Sequence, residues 1–200
     1  MQQRTLFLIA FLLGVGAVAA QAQTGYYAGQ CDVVFLGDST LHKFRGDITN
    51  VPLAVVCSSN ATGEAVLNTR FEVSPQQLTT HHAKRDANMV KMFQPELFPK
   101  LTVVVTNASL TAGRLSPTTP ASLPGVLPME ITLAGITKSN AVTTLNPKAM
   151  TNGWEFDLRT EVSLSAFHLK PASALLGTIR VDDKVEIEAH VRVVKSERNK

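Results

Sequence analysis

Few residues in this sequence are of types that do chemistry. Gly37-Asp38-Ser39-Thr40 places a serine beside an aspartate after a glycine, a setting in which serine hydrolases carry their nucleophile. Such a serine reacts only when a positioned base takes its proton, and no Asp-x-x-His block is present to supply one. Asp38 and Ser39 are instead expected to bond local backbone at the end of a strand, as these residue types do in turns. His81-His82 suggests metal binding, but neighbouring side chains diverge on a strand and on a helix alike. His42, His168 and His190 are scattered, so no ligand set emerges and no metal or other cofactor is expected. Asn60-Ala61-Thr62 and Asn107-Ala108-Ser109 fit the glycosylation acceptor pattern, which is common by chance.

How Cys31 and Cys57 are read depends on the compartment. Met1 to Arg4 carry a positive charge, Leu6 to Val18 are almost wholly apolar, and Ala20-Gln21-Ala22 offers small side chains to a signal peptidase. Residues 1–22 therefore read as a secretory signal, and 23–200 as one mature domain in the periplasm or outside the cell. The alternative, a membrane anchor, needs roughly 20 apolar residues, more than this run supplies. No cysteine stands at the expected cut, which argues against a lipoprotein. In an oxidising compartment the two cysteines are expected to form a disulfide. An antiparallel register in which Cys31 faces Cys57, Val33 faces Val55 and Phe35 faces Leu53 would place all three pairs on one face. Closing that loop would contribute about 3 kcal/mol. The alternative is two unpaired, buried cysteines.

Alternation dominates the rest of the chain. Phe156, Leu158, Val162 and Leu164 share one parity against Glu155, Asp157, Arg159, Glu161 and Ser163. Val185, Ile187, Ala189, Val191 and Val193 alternate with Lys184, Glu186, Glu188, His190 and Arg192, and Ala65, Leu67, Phe71 and Val73 with Glu64, Asn68, Arg70 and Glu72. Leu101, Val103 and Val105 continue the theme, as do Met129, Ile131 and Leu133. Repeated half-buried antiparallel strands predict a barrel or a sandwich. Helix is expected only around Lys84 to Phe93, where Met89, Met92 and Phe93 fall three and four apart before Pro95, with a further turn after Pro171 through Ala174 and Leu175 to Gly177. Thr111 to Pro128, with four prolines, reads as a long loop or an edge crossing. With 44% hydrophobic and 18% charged residues the chain is neither disordered nor multi-spanning. Its formal charge of +3 drops by one with Arg4 and is not clustered, so no nucleic-acid partner is expected.

Blocks distributed along the whole mature chain resemble the YceI-like proteins, exported lipocalin-like barrels reported to hold polyisoprenoid lipids. Phe35-Leu36-Gly37-Asp38-Ser39-Thr40-Leu41-His42-Lys43-Phe44-Arg45-Gly46 is similar to the opening strand and bend of that family. Arg85-Asp86-Ala87-Asn88-Met89 with Phe98-Pro99 resembles its Arg-Asp-x-x-Met helix and the strand after it. Leu133-Ala134-Gly135-Ile136-Thr137-Lys138 is similar to its Leu-x-Gly-x-Thr turn. Leu164-Ser165-Ala166-Phe167-His168-Leu169-Lys170-Pro171, continued by Ile179 to Val185, resembles the closing segment. The opening block differs from that of better-known members, and His168 stands where glycine is commoner.

The resemblance implies an all-β, antiparallel lipocalin-like barrel of about eight to ten strands with one or two short helices. It also implies binding and carriage of a polyisoprenoid or other long apolar lipid, with no catalysis. On that reading Phe35, Phe44, Phe71, Leu133, Phe156 and Leu158 line the interior. Met89, Met92 and Phe93 cover one end, with Phe167 and Leu176 contributing from the closing segment. His42, Lys43 and Arg85 form a rim that meets a polar or phosphorylated head group. The inward positions carry no charge, and each methylene taken out of water contributes about 0.8 kcal/mol. No membrane span is expected in the mature chain, and a membrane protein could be a transient partner. The rival reading is a secreted β-domain with a packed interior that binds a protein partner through its surface.

Overall fold

The computed structural model describes residues 24–59, 64–110, 122–171 and 180–197. The alternating segments become eight strands: β1 (Gly25–Ser39), β2 (Phe44–Ser59), β3 (Ala65–Val73), β4 (Leu101–Ser109), β5 (Val126–Leu133), β6 (Ile136–Met150), β7 (Gly153–Ser163) and β8 (Val181–Lys195). Each pairs antiparallel with the next, and β8 returns to β1, so the sheet closes into a barrel and every strand has two neighbours. The inward parity is the expected one on β3, β4, β5, β7 and β8. Strand β6 gives little sequence signal because few of its residues turn inward, Val142 and Thr144 among them. It also absorbs Pro147 at an irregularity between Leu145 and Lys148.

The register of β1 on β2 corrects the expected cysteine pairing. Cys31 lies opposite Val51 and Cys57 opposite Gly25, while Val33 faces Ile48 and Phe35 faces Gly46. From Val51 to Cys57 is roughly 20 Å along an extended strand, whereas a disulfide joins Cα atoms about 4.4–6.8 Å apart. Both cysteines are free and buried. The physical reason lies in the pattern itself. Sliding the strands by an even number of residues leaves every side chain on its own face, so alternation alone cannot choose the offset. A bulge completes the observed alignment: Asp32 Oδ1 accepts a hydrogen bond from the Asn50 amide at 2.6 Å, with Asn50 at φ 56°.

Pro128 belongs to β5, opposite Ala141, and not to a loop. It is tolerated because β4 and β5 pair only from Thr102 to Val104 against Glu130 to Thr132, so at Pro128 no β4 partner needs its missing N–H. The two-residue turn at Ala134 and Gly135 has φ of 45° and 78°, the doubly positive geometry that suits a tight hairpin. The rest of the expected 111–128 loop up to residue 121, the leader, Asn60 and the turn through Ala174, Leu175 and Gly177 lie outside the described residues.

Helix α1 (Ala83–Phe93) sits in the β3–β4 connection and stops at Gln94, whose φ of 50° breaks the helix just before Pro95. Because alternate connections of an antiparallel barrel share an end, α1 lies at the same end as the β1–β2 hairpin, the β5–β6 turn and the β7–β8 connection. No helix among the described residues is long and apolar enough to cross a membrane.

Candidate ligand-binding site

The inward residues are not equally buried along the barrel. On β8, Val185, Ile187 and Ala189 point inward yet remain half-buried, whereas Val191 and Val193 are 2% and 1% exposed. Val33, Phe71, Val103 and Leu158 on other strands share the half-buried state. Interior side chains that keep accessible surface face empty space. That space is a cavity of about 560 Å³ opening toward the α1 end of the barrel. Its walls are overwhelmingly apolar, with Thr69, Thr80, Thr102 and Thr160 among their few hydroxyls, and among the described residues no aspartate or glutamate lines it.

Several elements set the lining. Phe35 and Phe44 stand on β1 and β2 opposite Gly46 and Gly37, each ring lying over the glycine across from it. A Cβ at Gly46 would fall 2.0 Å from the Phe35 ring and 2.6 Å from the Thr79 carbonyl oxygen. That glycine is therefore the condition for the ring to sit where it does. Helix α1 supplies Met89, Met92 and Phe93 from one face, at helical spacing. Its N-terminal end is fastened by Asp86, which accepts bonds from the Thr79 hydroxyl at 2.9 Å, from the Thr80 amide at 2.8 Å and from the Thr80 hydroxyl. Partial burial works to raise the Asp86 carboxyl, but these bonds and the Arg85 charge outweigh it and hold the group below its ordinary range. The preceding segment is tied to β2, where Asp47 and Thr79 exchange backbone bonds and Asp47 Oδ2 lies 3.0 Å from His81 Nε2.

The opening is basic. His42, His82, Lys84 and Arg85 all border the cavity, and the Arg85 guanidinium lies 4.9 Å from the centre of the Phe44 ring. This is a cation–π contact that orients the group at the junction of apolar wall and solvent. His81 and His82 go separate ways, one to Asp47 and the other to the cavity. Ser39 shapes the hairpin tip. Its hydroxyl donates to the His42 carbonyl oxygen at 2.8 Å and accepts from the His42 amide at 3.2 Å, while its own amide donates to Asp38 Oδ1 at 2.8 Å.

Of the residues expected to line the interior, Phe35, Phe44, Phe71, Leu133, Phe156, Leu158, Met89, Met92 and Phe93 border the cavity. Phe167 does not. It ends a 3-10 turn (Ser165–Phe167) and is 4% exposed, packed in a buried cluster that includes Leu164 and Leu169. Leu176 lies outside the described residues. On the rim, His42 and Arg85 border the cavity, and Lys43 does not: it is exposed, one residue before the inward Phe44, so alternation sends it outward. Sequence reasoning passed over Lys84 and Asn88. Their signal was available, since both lie on the α1 stripe that carries Arg85, Met89 and Met92. His82 had no periodic signal.

A closed antiparallel barrel holding an apolar cavity under a helical cover belongs to the lipocalin-like class of binding barrels. Within that class, the YceI-like domain model matches residues 29–193, and the chain is a member of the YceI-like family. Among solved structures it is similar to BcnA of Burkholderia cenocepacia, with 14% identity over 82% of this chain and 96% of that one, at a TM-score of 0.60. It is also similar to a polyisoprenoid binding domain from Saccharophagus degradans implicated in plant cell wall breakdown, with 10% identity over 87% of this chain and 100% of that one, at a TM-score of 0.58. At these identities the likeness is one of fold. No curated protein matches the chain.

Proposed function

We propose that this protein is an exported carrier that holds a long apolar lipid of the polyisoprenoid class inside its barrel, without chemical turnover. The observation that carries the reading is the cavity: about 560 Å³ of apolar-walled space running from the α1 end into the barrel. Such a space favours a hydrocarbon chain, because every methylene that leaves water contributes about 0.8 kcal/mol and the apolar wall asks for no polar partner in return. The fold likeness to a polyisoprenoid binding domain supports the same ligand class. The tail enters, and the polar or phosphorylated head stays among His42, His82, Lys84 and Arg85, where a basic border without acidic lining favours a negatively charged group. Engagement of the Ser39 hydroxyl with the His42 carbonyl supports a binding role and not a hydrolytic one. Residues 1–22 serve as the leader for export.

The test is mass spectrometry of organic extracts from freshly purified protein. A prenyl lipid recovered at close to one per chain is the expected result. Protein that is repeatedly empty, and stays empty after incubation with a prenyl alcohol, overturns the reading and favours a domain that works through its outer surface.

A further inference from the structure

The cavity ends inside the barrel. Below Val191 and Phe156 the inward positions are filled by the molecule's own side chains: Val193 is 1% exposed, Cys57 0%, Ala65 and Ala108 2% each, and Trp154 3%. The Trp154 ring stacks against Tyr27, with centroids 4.5 Å apart and planes tilted by 42°. None of these residues borders the cavity. They form a floor.

The depth above that floor can be read from the strands. The lining stretch of β8 runs from Val181 to Val191. At ~3.3 Å per residue and a tilt of ~40°, it spans roughly 25 Å of barrel axis. Three bonds of an extended chain cover about 3.8 Å, so the four chain bonds of an isoprene unit cover ~5 Å. About five units fit end to end.

We infer that the Tyr27–Trp154 floor makes this barrel a length gauge, selecting prenyl chains of about five isoprene units and gaining nothing from longer ones. The inference rests on the proposed lipid-binding function and deepens it. A chain that enters tail-first stops against Trp154, and every further unit remains at the mouth, in contact with water. Trp154 and Tyr27 are then specificity-determining residues that act by occupying the lower barrel. Ala189 marks a second level. It is a small wall residue opposite Leu158 on β7 and Val33 on β1, one inward position above Val191, and a larger side chain there would raise the floor.

The experiment is pairwise competition between prenyl alcohols of three to nine isoprene units for the full mature protein, read by native mass spectrometry. Affinity is expected to rise at least about tenfold per unit up to the limit, and by less than about twofold per unit beyond it. Trp154→Ala, which opens the floor, should move the break to longer chains. Ala189→Phe, which needs no cavity to form, should move it about one unit shorter and serves alone if the tryptophan variant does not fold. Affinity that keeps climbing through nine units, or a break that stays in place in folded Ala189→Phe protein, overturns the length gauge and leaves lipid binding standing. Failure of every alcohol to bind removes both.

Discussion

The two cysteines show how closely a side chain's chemistry follows its position. Burial, assisted by the neighbouring Asp32 charge, pushes the Cys31 thiol up to about 12, and burial alone does the same to Cys57. The thiolate is the reactive form, so neither group is a nucleophile near neutral pH. A thiol reagent at pH 8 should therefore modify the native protein slowly and find two thiols per chain once it is unfolded without reductant. Finding none in the unfolded protein would mean that the two sulfurs are joined and that the β1–β2 alignment is wrong. Legibility at this scale is uneven. The facing of Phe35, Phe71, Phe156 and Leu158 follows from parity alone, because a strand has only two sides. Lys43 falls outside the rim by that same parity, which, applied to Phe44, turns it outward.

Among the elements, α1 is readable because Met89, Met92 and Phe93 repeat at helical spacing and Pro95 closes the segment. What fastens it is not readable, since the bonds from Thr79 and Thr80 to Asp86 depend on how a loop folds back onto a helix end. That fastening has a defined pH dependence. The Asp86 carboxyl is lowered in the folded protein, so its contribution is present above the ordinary carboxyl value near 3.9. It is lost as pH falls through the lowered value. Amide protection in α1 should therefore fall between pH 5 and pH 3 in the native protein. In Asp86→Asn it should be weak at both values, because the pH-dependent partner is gone. Equal protection factors for the native helix at the two values would dismiss Asp86 as its anchor. The hairpin turn at Ala134-Gly135 lies on the other side of legibility. A two-residue connection between paired strands takes a type I′ or II′ turn, each with positive φ at a central residue, and the glycine there announces it.

At the scale of the molecule, closure and hollowness have different signals. Strand after strand with one dry face calls for a barrel or a sandwich, and the resemblance in the motif blocks chooses the barrel. Residue types alone do not tell whether Ala189 leaves room beside it or is covered by a neighbour, nor whether Val185 and Ile187 meet side chains across the axis or leave a gap. That depends on barrel diameter, a property of all the strands together. Because a ligand in the gap binds only the folded form, it must stabilise the whole. A prenyl alcohol at a hundred times its dissociation constant adds about 2.7 kcal/mol, which for a domain of this size raises Tm by about 5–10 °C. An unchanged melting curve at that concentration would mean that the space is not where the ligand goes.

The brief pairing of β4 with β5, Thr102 to Val104 against Glu130 to Thr132, contrasts with the long ladders that join β1 to β2 and to β8. Among the described residues this join has the fewest rungs, and local opening is expected first where backbone bonds are fewest. Transient parting of the cylinder should begin along that line, beside Val126 and Pro128, and a bulky guest would find there the least costly way to widen the wall without unfastening the helix that covers the mouth.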